Sequence, residues 1–182
     1  AVLWQAVGFS ESDALKINIL SGAISIGAVT FAILLIDRIG RKPLLLIGSA
    51  GMAVTLATVA YAFSTAITGA DGAVSLPGNN GVLALVAANL YVIFFNMSWG
   101  PIMWVMLGEM FPNQIRGSGL AVAGFAQWIA NALVSVSFPS LVVWPGLAVA
   151  YVGYAFFALI SFFFVRAMVN ETKGRELEDM VG

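Results

Sequence analysis

Asn96, Gly100 and Trp104 recur every four residues along one apolar stretch, and Asn89 lies two turns earlier on nearly the same side. Gln127, Asn131 and Ser135 repeat that spacing in a second stretch, with Trp128 beside Gln127. In a helix, such spacing puts each set on one face. An amide offers both donors and acceptors, as a hydroxyl-rich ligand requires. An indole covers the C–H face of such a ligand and adds one N–H donor. Amides are costly in hydrocarbon, so both stripes should face protein or a water-filled cavity. Two readings fit. Either the stripes line a ligand cavity, or the amides bond helix to helix and the tryptophans sit in an interfacial belt. Trp4 and Trp144 fit the belt; for Trp104, Gln127 and Trp128 the cavity reading is preferred.

A second group is ionic. Glu109 and Arg116 bracket a turn that contains Pro112 and is followed by Gly117. The stretch DRIGRK supplies Asp37, Arg38, Arg41 and Lys42 in another turn. Asp37 falls at a helix C-terminus, where the macrodipole disfavours a carboxylate, so it calls for a cationic partner. Gly40 permits a turn with positive φ, and Pro43 suits the first turn of the next helix. Opposite charges at helix ends on one side form a breakable ionic latch, or else are ordinary solvated loop charges. Under the latch reading, Glu109 pairs with a cation of the 37–42 turn or with Arg116.

The elements that must position these residues are set by composition. Of 182 residues, 60% are hydrophobic and 9% charged, with mean hydropathy +0.96. Soluble domains average about 25% charged residues, so lipid is the expected solvent. A spanning helix needs about 20 apolar residues. Five stretches qualify: 17–36, 43–63, 82–108, 118–138 and 146–165. Pro101 favours a bend in the third, and Pro139 with Pro145 marks the break between the fourth and fifth. Residues 1–16 are expected to form an extracytoplasmic loop, 17–168 a transmembrane bundle, and 169–182 a cytoplasmic tail. Basic residues favour cytoplasmic ends of spans. Every basic residue except Lys16 lies in turns that alternate to one side, which predicts an external start and an internal tail. Five spans with internally bonded backbones make an all-α membrane protein. Small residues such as Gly48, Gly51, Ala53, Ser118, Ala121 and Gly124 are suited to close helix packing.

Composition also excludes classes. There is no cysteine and no histidine, hence no disulfide framework, no Cys/His metal site and no imidazole base. No nucleophile–base or metal constellation is visible, so neither an enzyme nor a cofactor is expected. The net charge of −1 argues against a nucleic-acid partner. The chain opens mid-pattern without an initiator Met and is expected to be part of something longer. No Asp or Glu lies in the middle of a span.

DRIGRKP, GPIMW, EMFPNQIRG, AQWIAN and NETKGRELED, in that order and spacing, resemble the sugar porter family of the major facilitator superfamily. The match runs over nearly the whole chain and corresponds to the C-terminal half of such a transporter. The WGPIMW and AQWIAN forms look closest to bacterial proton–sugar symporters such as xylose and glucose transporters. The chain departs from the family's tail motif at Asn170, where the family has Pro.

The resemblance implies a C-terminal half-bundle in the plasma membrane, a bacterial inner membrane, moving a monosaccharide (hexose or pentose) by alternating access with proton coupling. It implies sugar contact at Trp104 and Gln127, with Trp128, Asn131 and Asn96 completing the pocket. It places Asp37, Arg38, Arg41, Glu109 and Arg116 in a cytoplasmic gate, with Glu171 and Arg175 as its C-terminal extension. It also implies an N-terminal half elsewhere that carries the proton-linked carboxylate. Alternatives are a polyol or cyclic polyhydroxy-acid porter, a non-transporting sugar sensor, and a structural membrane subunit.

Overall fold

The structure is a computed structural model that describes residues 10–68 and 74–173, with backbone only at Thr68, Val74, Val143 and Pro145. Among the described residues six α-helices follow in order: α1 (Glu11–Ile39), α2 (Arg41–Ser64), α3 (Asn80–Met97), α4 (Pro101–Met110), α5 (Arg116–Leu141) and α6 (Leu147–Met168). Two short antiparallel strands, β1 (Ile67–Thr68) and β2 (Val74–Ser75), pair between α2 and α3. Among the described residues, five helical stretches are long and apolar enough to cross a membrane, α3 and α4 together counting as one.

Helix α1 starts at Glu11, so it takes in residues 11–16, which the sequence reading placed in a loop. The reason is local. Ser10 caps the helix by accepting from the Asp13 N–H at 3.2 Å, and Glu11 and Asp13 complement the dipole in the first turn. Helix α1 ends at Gly40, whose φ of 101° is one that L side chains rarely adopt. A Cβ there would also lie 2.6 Å from a carboxylate oxygen of Glu171. Glycine thus serves both the turn and the approach of the tail.

The expected bend at Pro101 is a full break. Ser98 leaves helical geometry at φ −130°, ψ −88°, and α4 begins at Pro101, the favoured first position of a helix. The fourth break falls differently. Helix α5 passes through Pro139 and ends at Leu141. A π-type turn (Val142–Gly146) follows, extended at Trp144 (φ −153°, ψ 125°). Pro145 disfavours helical geometry in the residue before it, so Pro145 rather than Pro139 accounts for the turn.

Helix α2 is central and packs against both α6 and α3, while α1 lies along α3. Its buried residues include Leu44, Leu45, Met52, Leu56, Val59 and Phe63. One core cluster joins Leu44 and Leu45 to Ile102, Met106, Val165 and Val169 near the charged end. Helix α5 contrasts with it and buries no residue, touching the tip of α4, the π-type turn and α6.

Candidate functional site

Helices α4 and α5 carry the aromatic and amide residues. Trp104 projects from α4 toward α5, where its ring edge lies 3.4 Å from the place a Cβ would occupy on Gly124. A Cβ at 124 would make ordinary van der Waals contact with the indole, so the two helices meet closely there. Gln127 and Trp128 follow Gly124 by about one turn of α5, and Asn131 by about two. All three side chains are exposed, and neither amide makes a side-chain hydrogen bond among the described residues. Trp104 itself is 38% exposed. The helix face therefore presents an indole and two unengaged amides.

Asn96 is placed differently. Its Nδ2 donates to the Val92 carbonyl at 2.9 Å and to Ser25 Oγ at 3.3 Å. Asn89 likewise accepts from Ser21 Oγ at 2.8 Å and donates to the Leu85 carbonyl at 2.9 Å. These two amides join α3 to α1, which is the helix-to-helix reading. Ser21 and Ser25 were not singled out in the sequence. Their four-residue spacing on α1 is the signal that pairs them with an amide stripe.

At the other end of α4 the ionic residues converge. Arg41 Nε donates to Glu109 Oε2 at 3.1 Å and Nη2 to Oε1 at 2.7 Å, a bidentate pair. Arg41 Nη1 reaches Asp37 Oδ1 at 3.0 Å and the Ile36 carbonyl at 3.3 Å. Arg41 is largely buried at 12% side-chain exposure, whereas Asp37 is 80% exposed. Thr172 Oγ1 donates to Glu109 Oε2 at 2.6 Å. Of the two partners considered for Glu109, the structure selects Arg41. Arg116 instead donates through Nε to the Phe111 carbonyl at 3.2 Å, and its buried Nη2 has no partner among the described residues.

The tail staples the start of α2 to the end of α1, and Lys42 ties α2 to the end of α6. Glu171 accepts from the backbone N–H groups of Arg41 and Lys42, both at 3.0 Å, at the start of α2. That is where a carboxylate complements the dipole. Lys173 Nζ donates to the Arg38 carbonyl at 2.7 Å, at the end of α1. Lys42 Nζ donates to the Arg166 carbonyl at 3.1 Å, in the last turn of α6. Burial would push the Glu171 carboxyl up. The N–H bonds from Lys173, Arg41, Lys42 and Thr172 outweigh it and hold it below the usual glutamate range. The Arg38 side chain is exposed. Arg175 and Trp4 lie outside the described residues. Thr172 went unremarked in the sequence and Lys173 counted there only as one of the basic residues that set the topology; they follow Glu171 in NETKG, and only the docked geometry reveals their contacts.

A helical membrane bundle with an amide-aromatic face and a cross-linked ionic end now stands beside known families. The family model for "Sugar (and other) transporter" matches residues 1–181. The chain belongs to the sugar porter family of the major facilitator superfamily. Among sugar porters it is 50% identical over 180 residues to a glucose transport protein of Synechocystis sp., covering 99% of this chain and 38% of the relative. It is 38% identical to the D-xylose-proton symporter of Escherichia coli, covering 98% of this chain and 35% of the relative. The proton:xylose symporter XylE bound to 6-bromo-6-deoxy-D-glucose superposes with a TM-score of 0.81 at 37% identity, over 95% of this chain and 35% of XylE. An inward open conformation of XylE from E. coli gives a TM-score of 0.79 at 37% identity, over 97% of this chain and 38% of XylE. The chain thus spans a little over a third of the length of these sugar porters.

Proposed function

We propose that this chain is the C-terminal half-bundle of a transporter that moves a monosaccharide, a hexose or pentose, across the plasma membrane by alternating access. The observation that carries the proposal is the composition of α4. One helix of ten residues bears Trp104, docked against α5 beside Gly124, and Glu109, held by Arg41. A ligand-facing indole and an ionic latch thereby share one rigid element.

In this account Trp104 stacks on the sugar ring, and Gln127 and Asn131 exchange hydrogen bonds with its hydroxyls. Trp128 flanks them. Asn96 borders the pocket through its α1 contact with Ser25. Arg41, Glu109 and Asp37 form the cytoplasmic latch, with Glu171 bracing its backbone and Arg38, Arg116 and Arg175 completing the basic rim. The described carboxylates next to spans all sit at helix ends. A proton-coupling carboxylate therefore belongs to the N-terminal half of the transporter. The chain resembles glucose and xylose carriers, which supports a neutral sugar as substrate.

The test is counterflow uptake by the intact transporter in vesicles, with a panel of labelled monosaccharides, polyols and cyclic polyhydroxy acids. Accumulation of at least one hexose or pentose is expected. Accumulation of polyols or acids alone would overturn the substrate class, and accumulation of nothing would overturn transport.

A further inference from the structure

Between the candidate sugar-facing indole and the upstream part of the same span lies the break at Ser98–Pro101, and its surroundings are unusual for a membrane helix. Gly100 donates to the Phe95 carbonyl at 2.9 Å, five residues back, and Ser98 to the same carbonyl at 3.2 Å, three residues back. Pro101 has no N–H to continue the ladder. Ile102 donates to the Ser98 carbonyl at 2.9 Å, but the regular ladder is interrupted at Pro101, so side-chain contacts share in setting the angle between α3 and α4.

The side chains around it come from α2 and α6. Trp99 Nε1 donates to Ser49 Oγ of α2 at 2.8 Å, and the Ser161 hydroxyl of α6 lies 2.9 Å from the same oxygen. Ser161 also donates to the Ala158 carbonyl at 2.7 Å. Ser49 is fully buried, as is Ser98. The glycines flanking Ser49 make the contact close: a Cβ at Gly48 would overlap Ser98 Oγ, and one at Gly51 would overlap the Phe94 ring. The Trp99 ring packs against both of the core clusters that α2 shares with α6. An indole N–H is a donor only, and a hydroxyl accepts through two lone pairs. Ser49 is therefore matched to accept from the Trp99 indole, and with the one Ser161 proton on the Ala158 carbonyl, the Ser49 hydroxyl donates to Ser161 Oγ, in apolar surroundings where such bonds have little competition from water.

We infer that Ser49 is a positioning residue for transport: by holding the Trp99 indole, it sets the angle of α4 and with it the placement of Trp104 and Glu109. The inference rests on the transport reading above for its functional meaning. Its mechanical content is separate. Helix α2 is the best-buried helix of the bundle and serves as the fixed frame. Trp99 is the pin at which α4 is referenced to that frame, one residue before the peptide unit that lacks a donor. Loss of the pin frees the α4 angle without touching sugar or the ionic pair.

The experiment uses the intact transporter with Ser49→Ala, Trp99→Phe and the double variant. A reporter, Gln114→Cys, is placed in the exposed turn after α4; this chain has no cysteine of its own. Trp99→Phe keeps an aromatic ring while removing the donor and part of the ring volume, and Ser49→Ala removes only the accepting hydroxyl, so the test does not depend on one variant folding. Each single variant should change reporter labelling by about fivefold in the same direction, the factor expected for one lost hydrogen bond. The double variant should go no further than either single one, because both remove the same bond. Labelling unchanged in both singles, or effects that multiply in the double, would overturn the inference, even if thermal stability fell. Labelling needs no sugar. Uptake with unchanged labelling therefore defeats this inference alone, and shifted labelling without uptake by the unsubstituted protein defeats the transport reading alone.

Discussion

Arg41 and Glu109 are 68 residues apart in sequence and meet in a two-point contact, Nη2 to Oε1 at 2.7 Å and Nε to Oε2 at 3.1 Å. The pair joins the start of the central helix α2 to the last turn of α4. Solvated ion pairs at protein surfaces contribute little, about 0–1 kcal/mol. This one is better placed: Arg41 is mostly buried, the geometry is bidentate, and Thr172 adds a third bond to the carboxylate.

The latch prediction follows from that geometry. Glu109→Gln keeps the shape but loses the charge, and Arg41→Lys loses the fork. A charge-assisted bond contributes about 1.5–3 kcal/mol, so either change should shift the conformational balance toward an open charged end by about tenfold or more. Sugar binding should persist. Labelling of a reporter cysteine at Gln114 measures the shift, and equal labelling in wild type and both variants would reduce the pair to ordinary loop charge.

A pH prediction concerns the tail. The Glu171 carboxyl is held below its ordinary range by backbone N–H groups. A depressed carboxylate stabilises the folded state above its unfolded pKa, and that contribution is lost as pH falls through the folded pKa. A nitroxide label at the exposed Asn170, beside Glu171, should be ordered at neutral pH and gain mobility only below the usual glutamate range. Glu171→Gln should be mobile throughout, with no acid transition. An identical titration in both proteins would show that Glu171 does not dock the tail.

Topology is tested by the alternation of basic turns. In right-side-out vesicles, Ser75→Cys should react with an impermeant thiol reagent and Gly174→Cys should not. The reverse pattern would invert the bundle.

Much of this architecture was legible in the sequence because its signals are local. Uncharged stretches gave the apolar helices, and Pro101 gave the bend. Pro139 misled because a proline can be carried inside a helix whose neighbours re-satisfy the backbone; the chain turns at Trp144 instead. Asp37, Arg41 and Glu109 stood out as charges at helix ends, but the choice of Arg41 over Arg116 depends on how α2 and α4 cross, which no periodicity encodes. The same holds for Ser49, Trp99 and Ser161. Ser49 and Ser161 are unremarkable in sequence, Trp99 stands out only as part of WGPIMW, and the three meet only through three-helix packing.

The coupling prediction is that no carboxylate of this bundle carries the transported proton. Buried carboxylates in spans are the usual proton carriers, and Asp37 and Glu109 sit at helix ends, engaged with Arg41. Asp37→Asn and Glu109→Gln should retain proton-driven accumulation whenever they retain sugar exchange. Loss of accumulation with full exchange in either variant would place the coupling site here.

The central claim is that α4 and α5 together hold the sugar, and the affinity of the intact transporter for its monosaccharide tests it most directly. A lost buried amide–hydroxyl bond costs about 1–3 kcal/mol, so Gln127→Ala should weaken binding roughly 5- to 150-fold. Trp104→Ala should weaken it as well, through the loss of stacking against the ring. Unchanged affinity in both variants would contradict the account.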